Sequence, residues 1–395
     1  MNPKIMKKSI DRRLLLKHLS LLILFLPTFA IANKNRDDGK NQYLDFNNTV
    51  GNSNLDDYYY LLQKAINICA KNGHILRLSG QYFISRSLNL PSNIKIVGEN
   101  NAIIRGFKNI PLTIIQAENK ENISISGVSI DGNVIDGIKK SYKRASRFIS
   151  CSNIHLDDFI VMNSADWAIS FEKCNNIIIK NVSVKGGGRG LPGGRDGLHF
   201  LDTSNVDLDG ADITSGDDCI AITSESENIE NINIRNVAGS SDIGSIVIYN
   251  EEQYKNKKYV IGSIRNLKIS NITVKKNGNA RDIVRVFAYN PQTIIKDVSI
   301  INVSGESKNH GVYIGGVSNL TLENINVIST RQNGIYIVNS NKGIINNANG
   351  LASTEKYFGL SIYNSSDINA TKISKRVNAQ NRLSIAKSEN IKIAK

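Results

Sequence analysis

From Glu121 to the C-terminal end, one phrase recurs through the chain: an asparagine, alternating aliphatic residues, a polar pair, then more aliphatics. It reads ENISISGVSI from Glu121, SNIHLDDFIV from Ser152, NNIIIKNVSV from Asn175, SNVDLDGADI from Ser204 and ENINIRNVAG from Glu230. It continues with RNLKISNITV from Arg265, IKDVSIINVS from Ile295 and SNLTLENINV from Ser318, and fades through NKGIINNANG, SSDINATKIS and SENIKIAK. Ten steps separate Asn122 from Asn390, so the period is about 27 residues. Period-two alternation bounded by Gly, Asn and Ser marks short strands. Strands repeated at a 20–30-residue period, with no helical face, mark a solenoid in which each coil adds one rung. An ordinary β-sandwich would not keep the phrase in phase. The expected fold class is therefore all-β: a single-stranded, right-handed parallel β-helix. Recurrent asparagines at one corner should form an amide ladder between rungs spaced about 4.8 Å.

A solenoid must cover its open apolar end. LDDYYYLLQKAINICAKNG (Leu55 to Gly73) places Leu62, Ala65, Ile66 and Cys69 at helical spacing. Asp56 and Asp57 favour its start, and Gly73 suits its C-terminal cap. It is expected to be an N-terminal capping helix, followed by strands in HILRLSGQYFIS and NIKIVGENNAIIRG.

Residues 1–32 are set aside as an export signal, with basic residues, an apolar run from Leu19 to Phe29 and a small-x-small end at Ala30-Ile31-Ala32. The run is too short for a comfortable membrane span of roughly 20 residues. DRRLLLK (Asp11 to Lys17) looks like a twin-arginine signal, with an ordinary Sec signal as the competing reading. The expected mature chain, 33–395, is one catalytic domain exported to the periplasm or secreted from a bacterium, monomeric and without stable membrane insertion. The formal charge is +14, but residues 1–32 carry +5 of it and residues 371–395 another +6. The basicity thus lies mostly in the two ends and suits an anionic partner or a membrane surface; the expected partner is a polyanionic polysaccharide and not nucleic acid.

Four cysteines are too few for a disulfide framework, and none has metal-ligand spacing. Cys151 and Cys174 each precede an Asn-Ile by two residues, so they should stack on adjacent coils, either as a disulfide or as buried thiols. Cys219 is expected to point into the core.

The stretch ITSGDDCIAI sets Asp217 and Asp218 side by side in an otherwise apolar run. Asp196, in GGRDGLHF, lies one repeat phrase earlier, so all three carboxylates should meet on adjacent rungs. Like charges so close cannot all stay ionised cheaply, and one pKa should rise. A protonated acid beside ionised neighbours is what glycosidic cleavage requires. Rung-plus-diagonal separations of about 6.5–9.5 Å would suit inversion. A turn, an N-cap or a calcium site is the alternative for such acids; the reading adopted here takes no metal and no cofactor.

Taken together, NSADWAISFEKCNNIIIKNVSV, RDGLHF and SNVDLDGADITSGDDCIAI resemble glycoside hydrolase family 28, the polygalacturonase group of the pectin-lyase-like β-helices. The resemblance is continuous over Asn163 to Ile222 and implies a hydrolase of an acidic, pectin-like polysaccharide. It implies that Asp217 is the general acid, with Asp196 and Asp218 holding and deprotonating water in a single displacement. The family's Gly-His-Gly would fall near GSSDIGSIVI, where Asp242 or a neighbouring serine replaces His. Its Arg-Ile-Lys falls on VRVFAY, which keeps Arg285 but has Phe287 in place of Lys. Arg285, Arg195 and Arg189 are candidate contacts to a uronate carboxylate. His199 is read either as a donor to a sugar hydroxyl and pH sensor or as a stacked structural residue. Tyr313 and Tyr289 are candidate sugar platforms, and Trp167 is expected to pack in its coil. The insertion Asn250–Ser263 should lengthen one coil. The rival functions are a polysaccharide lyase or uronate epimerase on the same fold, and a non-catalytic glycan-binding solenoid.

Overall fold

A computed structural model describes residues 42–50, 55–135, 141–186, 195–250, 252–253, 258–259, 262–275, 277–288, 293–373 and 382–394. The expected export segment 1–32, Arg189 and Tyr289 lie outside the described residues.

The repeated phrase owes its asparagines to backbone geometry. Every phrase asparagine or its stand-in, from Asn122 through Asn205, Asn231 and Asn266 to Asp297, Lys342 and Asn390, is left-handed, with φ between 52° and 59°. Five residues later each coil has a second left-handed residue: Asn181, Gly210, Asn236, Asn271, Asn302, Asn324 and Asn347 are examples. An L-residue loses roughly 1–2 kcal/mol in this region, and asparagine is among the few side chains that tolerate it. Two such residues five apart bend the long strand twice and wrap the chain into a coil.

The asparagines also stack. The Nδ2 of Asn153 donates to Asn122 Oδ1 at 3.0 Å, that of Asn231 to Asn205 at 2.8 Å, and that of Asn266 to Asn231 at 2.6 Å. A second ladder runs through Asn271 to Asn236, Asn302 to Asn271 and Asn324 to Asn302, at 2.8, 2.8 and 3.0 Å. The expected amide ladder is present, and it is double.

Between the corners the strands pair in parallel in two sheets of 16 and 12 strands among the described residues. Corresponding residues are spaced unevenly, from 22 residues (Asp297 to Asn319) to 35 (Asn231 to Asn266), so excess length is expelled into loops while the rungs stay in register. The longest coil carries the Asn250–Ser263 insertion, which holds a two-stranded antiparallel pairing of Glu252–Gln253 with Lys258–Tyr259. In the second sheet, Ile169, Leu198, Ile220, Ile246, Val284, Val312 and Ile335 are register partners and point inward. Phe148, Phe171 and Phe200 stack at 5.2 Å steps inside the coil. The residues between them face outward: Ser170, His199, Ala221, Val247, Arg285, Tyr313, Tyr336 and Ser361 form one outer column.

The helix Tyr59–Asn72 buries Leu62, Ala65, Ile66 and Cys69 against the first coil, and Gly73 closes it at φ 69°. Asp57 Oδ1 accepts the Tyr59 N–H at 3.0 Å at its start. A short helix, Phe46–Val50, precedes it and was not expected. Cys151 and Cys174 are buried free thiols on adjacent coils, with the Cys151 N–H donating to Cys174 Sγ at 3.4 Å. Cys219 is fully buried in the core, as its flanking isoleucines imply. Among the described residues, no helix is long and apolar enough to cross a membrane.

Asn271 both donates to and accepts from its ladder neighbours at φ 57°. Asn271→Ala is expected to cost about 2 kcal/mol in denaturant unfolding, from left-handed strain and lost hydrogen bonds. Asn271→Gly keeps the backbone conformation and should lose only the hydrogen-bond part. Equal stability of the two variants would contradict this account of the asparagines.

Candidate active site

The strand Ser204–Ser215 ends in a turn, Gly216-Asp217-Asp218, that leads to Ile220–Ser224 in the second sheet. One coil earlier, Asp196 occupies the equivalent entrance to Leu198–Leu201. Backbone bonds tie the two entrances together: Gly197 N–H to Asp218 O at 2.9 Å and Asp217 N–H to Arg195 O at 3.3 Å. The Asp218 N–H also donates to Asp196 Oδ1 at 3.1 Å. The outcome is the convergence read from the sequence. Asp196, Asp217 and Asp218 each offer an oxygen, all within 4.8 Å of one another. Two of the acids are consecutive and the third is one rung away, so this spacing is shorter than the 6.5–9.5 Å expected for an inverting pair.

The three acids are not equivalent. Asp218 is buried, and its Oδ1 has no hydrogen-bond partner. Burial, then the charges of Asp196 and Asp217, raise its carboxyl well above the ordinary range, with Arg281 opposing. Asp217 is partly exposed and is the member of the trio that opens to solvent. Gly244 lies on the next rung, where a Cβ would stand 3.2 Å from Asp218 Oδ1 and 2.3 Å from Val247 Cγ2; no side chain fits over the buried acid. Three oxygens at this spacing would also suit a hard divalent cation. Both oxygens of Asp196 are already engaged, however, one by the Asp218 N–H and the other by His199.

His199 is turned to the protein and not to a sugar. Its Nδ1 lies 2.5 Å from Asp196 Oδ2 and its Nε2 2.7 Å from Thr223 Oγ1, and only 4% of the residue is exposed. Trp167 does more than pack in its coil: its indole stacks on the imidazole at 3.7 Å, with Arg144 4.0 Å from the indole centroid. Arg144 and Arg147 converge on Glu172, Arg147 in a fork with two bonds of 2.8 Å. Burial raises the Glu172 pKa, but the two arginines outweigh it and hold the carboxylate below its usual range.

Arg195 is likewise corrected. It is only 4% exposed, and its Nε and Nη1 are buried without partners, because the residue preceding Asp196 tucks beneath the entrance instead of facing solvent. Asp242 lines a cleft of about 260 Å³ with Ser215, Ser240, Ser241 and Asn279, and is outside the carboxylate trio. It is the neighbouring Ser241 that touches the site, its hydroxyl donating to the Asp217 carbonyl oxygen.

Arg285 and Tyr313 stand on the outer column of the second sheet, on the same face as His199. The Arg285 guanidinium lies 4.5 Å from the Phe287 ring centroid and 5.0 Å from that of Tyr313. Phe287, where the resemblance calls for Lys, stacks on Tyr249 at 5.3 Å. Sequence reasoning missed the anchor of this region. Asp282, fully buried, accepts from Arg281 Nε at 3.0 Å, Arg285 Nη1 at 3.3 Å and the His310 N–H at 3.0 Å. Burial raises its pKa, but the His310 ring and N–H, with Arg285 and Arg281, hold it down at about 2. A signal was present. Asp196 precedes outward His199 by three residues, Asp218 precedes Ala221, Asp282 precedes Arg285 and His310 precedes Tyr313. The offset is one column of the coil entrance, read four times.

A depressed carboxylate stabilises the fold above its unfolded pKa and loses that contribution as pH falls toward its folded value. Asp282→Asn should therefore destabilise the protein by about 2 kcal/mol at neutral pH. The deficit should shrink between about pH 4 and pH 2, measured by denaturant unfolding across a pH series. A deficit independent of pH over that window would show that charge is not its source.

Residues 63–256 match the family model described as Glycosyl hydrolases family 28. Polygalacturonase QRT2 of Arabidopsis thaliana is 28% identical over 244 residues, covering 56% of this chain and 54% of the relative. The probable rhamnogalacturonase A of Aspergillus oryzae is 24% identical over 247 residues, covering 56% and 52%. The chain thus spans about half the length of these curated relatives. In structure, a family 28 exopolygalacturonase of Yersinia enterocolitica superimposes with a TM-score of 0.57 at 14% identity, over 89% of this chain and 78% of that one, which is a likeness of fold. Through the segment that bears the Gly-Asp-Asp-Cys turn and its partner Asp196, the chain is similar to glycoside hydrolase family 28 and fits it as a divergent member.

Proposed function

We propose that the chain is an exported glycoside hydrolase that cleaves an acidic, uronic-acid-containing, pectin-like polysaccharide, with residues 33–395 as one catalytic unit behind a leader at 1–32. The observation that carries this reading is the convergence of Asp196, Asp217 and Asp218, with Asp218 buried and its pKa raised by burial and by the other two acids. The same face bears Arg285, two rungs from Ala221, as a candidate partner for a substrate carboxylate. The relatives' names, polygalacturonase and rhamnogalacturonase, supply the substrate class.

In the proposed reaction Asp217, the accessible acid, protonates the glycosidic oxygen as the bond to the anomeric carbon breaks. A water held by Asp196 and Asp218 attacks that carbon from the opposite side, and its proton passes to the carboxylate that holds it. Burial and the charges of Asp196 and Asp217 favour the protonated form of Asp218, so the three acids do not all carry charge together. His199 is a positioning residue: it fixes Asp196 from below while Trp167 covers it.

Asp217→Asn should lower turnover by about 100-fold or more while leaving polysaccharide binding intact. Reducing ends and proton NMR of the fresh product would report the reaction: a new reducing end of inverted configuration supports a single displacement, and retained configuration overturns it. An unsaturated product absorbing in the near ultraviolet would instead establish a lyase. Because the general acid must be protonated, activity should fall as pH rises, and a pH–rate profile with no alkaline limb would contradict that requirement.

A further inference from the structure

The second sheet has two edges, and the carboxylates occupy only the one where its strands begin. Where they end, a groove of about 1060 Å³ runs along five successive coils, from Phe287 to Glu389. Four rung spacings give it a length of about 19 Å parallel to the solenoid axis. Its floor is made by Gly315, Gly316 and Val338, and Tyr313 stands at one side.

The opposite side is a set of uncharged hydrogen-bonding ladders. Ser318, Asn341 and Ser366 are register partners on consecutive rungs, and Ser318 Oγ donates to Asn341 Oδ1 at 2.8 Å. At the corner, exposed Asn339 and Asn364 are left-handed, at φ 51° and 47°, and joined by a 2.6 Å amide bond. Beneath them Ser340 and Ser365 are buried and accept backbone N–H groups, Val317 to Ser340 Oγ and Ser340 to Ser365 Oγ, both at 3.1 Å. The wall is therefore fixed in place before any ligand arrives.

The charges separate this groove from the carboxylate edge. Its charged lining residues are Lys387 and Glu389, of opposite sign and both at the far end. Arg285 reaches the other end, against the rings of Phe287 and Tyr313, but is paired there with Asp282, so no row of cations follows the groove. A chain of uronates would need a cation near each carboxylate. A row of amides and hydroxyls repeating at the rung spacing, facing a tyrosine, matches a row of sugar hydroxyls and the C–H face of a pyranose.

We propose that this groove is a second glycan-binding site, separate from the carboxylate trio, which holds a neutral, hydroxyl-rich oligosaccharide stretched along the axis. It goes beyond the hydrolase reading and does not depend on it.

The test uses the full chain carrying Asp217→Asn, so that no ligand is consumed, titrated calorimetrically with a neutral galactan-derived hexasaccharide and a galacturonan-derived hexasaccharide. The neutral hexasaccharide should bind. Its affinity should fall by about tenfold in the double variant Asn339→Gly/Asn364→Gly, which removes both amides and keeps the left-handed corner. A second pair, Ser318→Ala/Asn341→Ala, lies outside the strained corner and should weaken binding similarly; whichever pair retains the wild-type melting curve is decisive. In the otherwise wild-type enzyme, both pairs should leave hydrolysis of a short acidic substrate unchanged. No binding of the neutral hexasaccharide, or binding unaffected by a folded groove variant, overturns the proposal. Loss of galacturonan binding alone would put the ligand at the carboxylate edge and overturn it as well. Failure of the hydrolase reading would appear separately, as absence of reducing ends from wild-type protein.

Discussion

Everything in this molecule depends on parallel rungs staying in register although the coils differ in length. The left-handed asparagine pair imposes that condition. It puts two bends at fixed places in each coil, and its amide ladders penalise any slip between neighbours. A one-residue slip would turn the whole inward set of side chains outward. The loops therefore absorb every difference in length, and side chains many residues apart are held a rung apart.

The coil entrance of the second sheet shows what this stacking does to charge. Asp218 and Asp282 sit in one column, two rungs apart, and both are buried. Asp218 meets two other carboxylates, which push its pKa up; Asp282 meets two guanidinium groups and a histidine, which hold its pKa down. Burial raises both, so the partners alone separate them. Gly244 between them lets Asp218 lie close to the backbone without a side chain above it. The result is an acidic centre beside a cationic one on a single face, which suits a ligand with a bond to break at one point and a carboxylate to hold at another.

The two edges of the second sheet then divide the chemistry. Where the strands begin, the chain turns sharply through Gly-Asp-Asp and carries its ionisable groups; where they end, Ser, Asn and Gly form a nearly uncharged corner. Both edges inherit the rung spacing, so each presents functional groups in rows parallel to the axis. An extended polymer is the kind of ligand that rows of this sort can follow.

The sequence by itself determined the solenoid, its capping helix and the meeting of Asp196 with Asp217 and Asp218. Each of these follows from periodicity, and periodicity survives in one dimension: a repeat in phase places Asp196 one rung from the acid pair whatever the loops do. It did not determine which side chains along those rungs are open. His199 and Arg195 have the composition of ligand contacts, yet Trp167 covers one and the coil entrance buries the other. Asp242 is not one of the converging acids; its neighbour Ser241 reaches Asp217 instead. Nor did it reveal that Asp282 anchors Arg285, although the three-residue offset was there to be read. Exposure and pKa depend on atoms contributed by several coils at once. Only the tertiary structure brings Trp167, Arg144, Gly244 and His310 to their places around the acids, and so only the tertiary structure decides which acid has its pKa raised and which lowered.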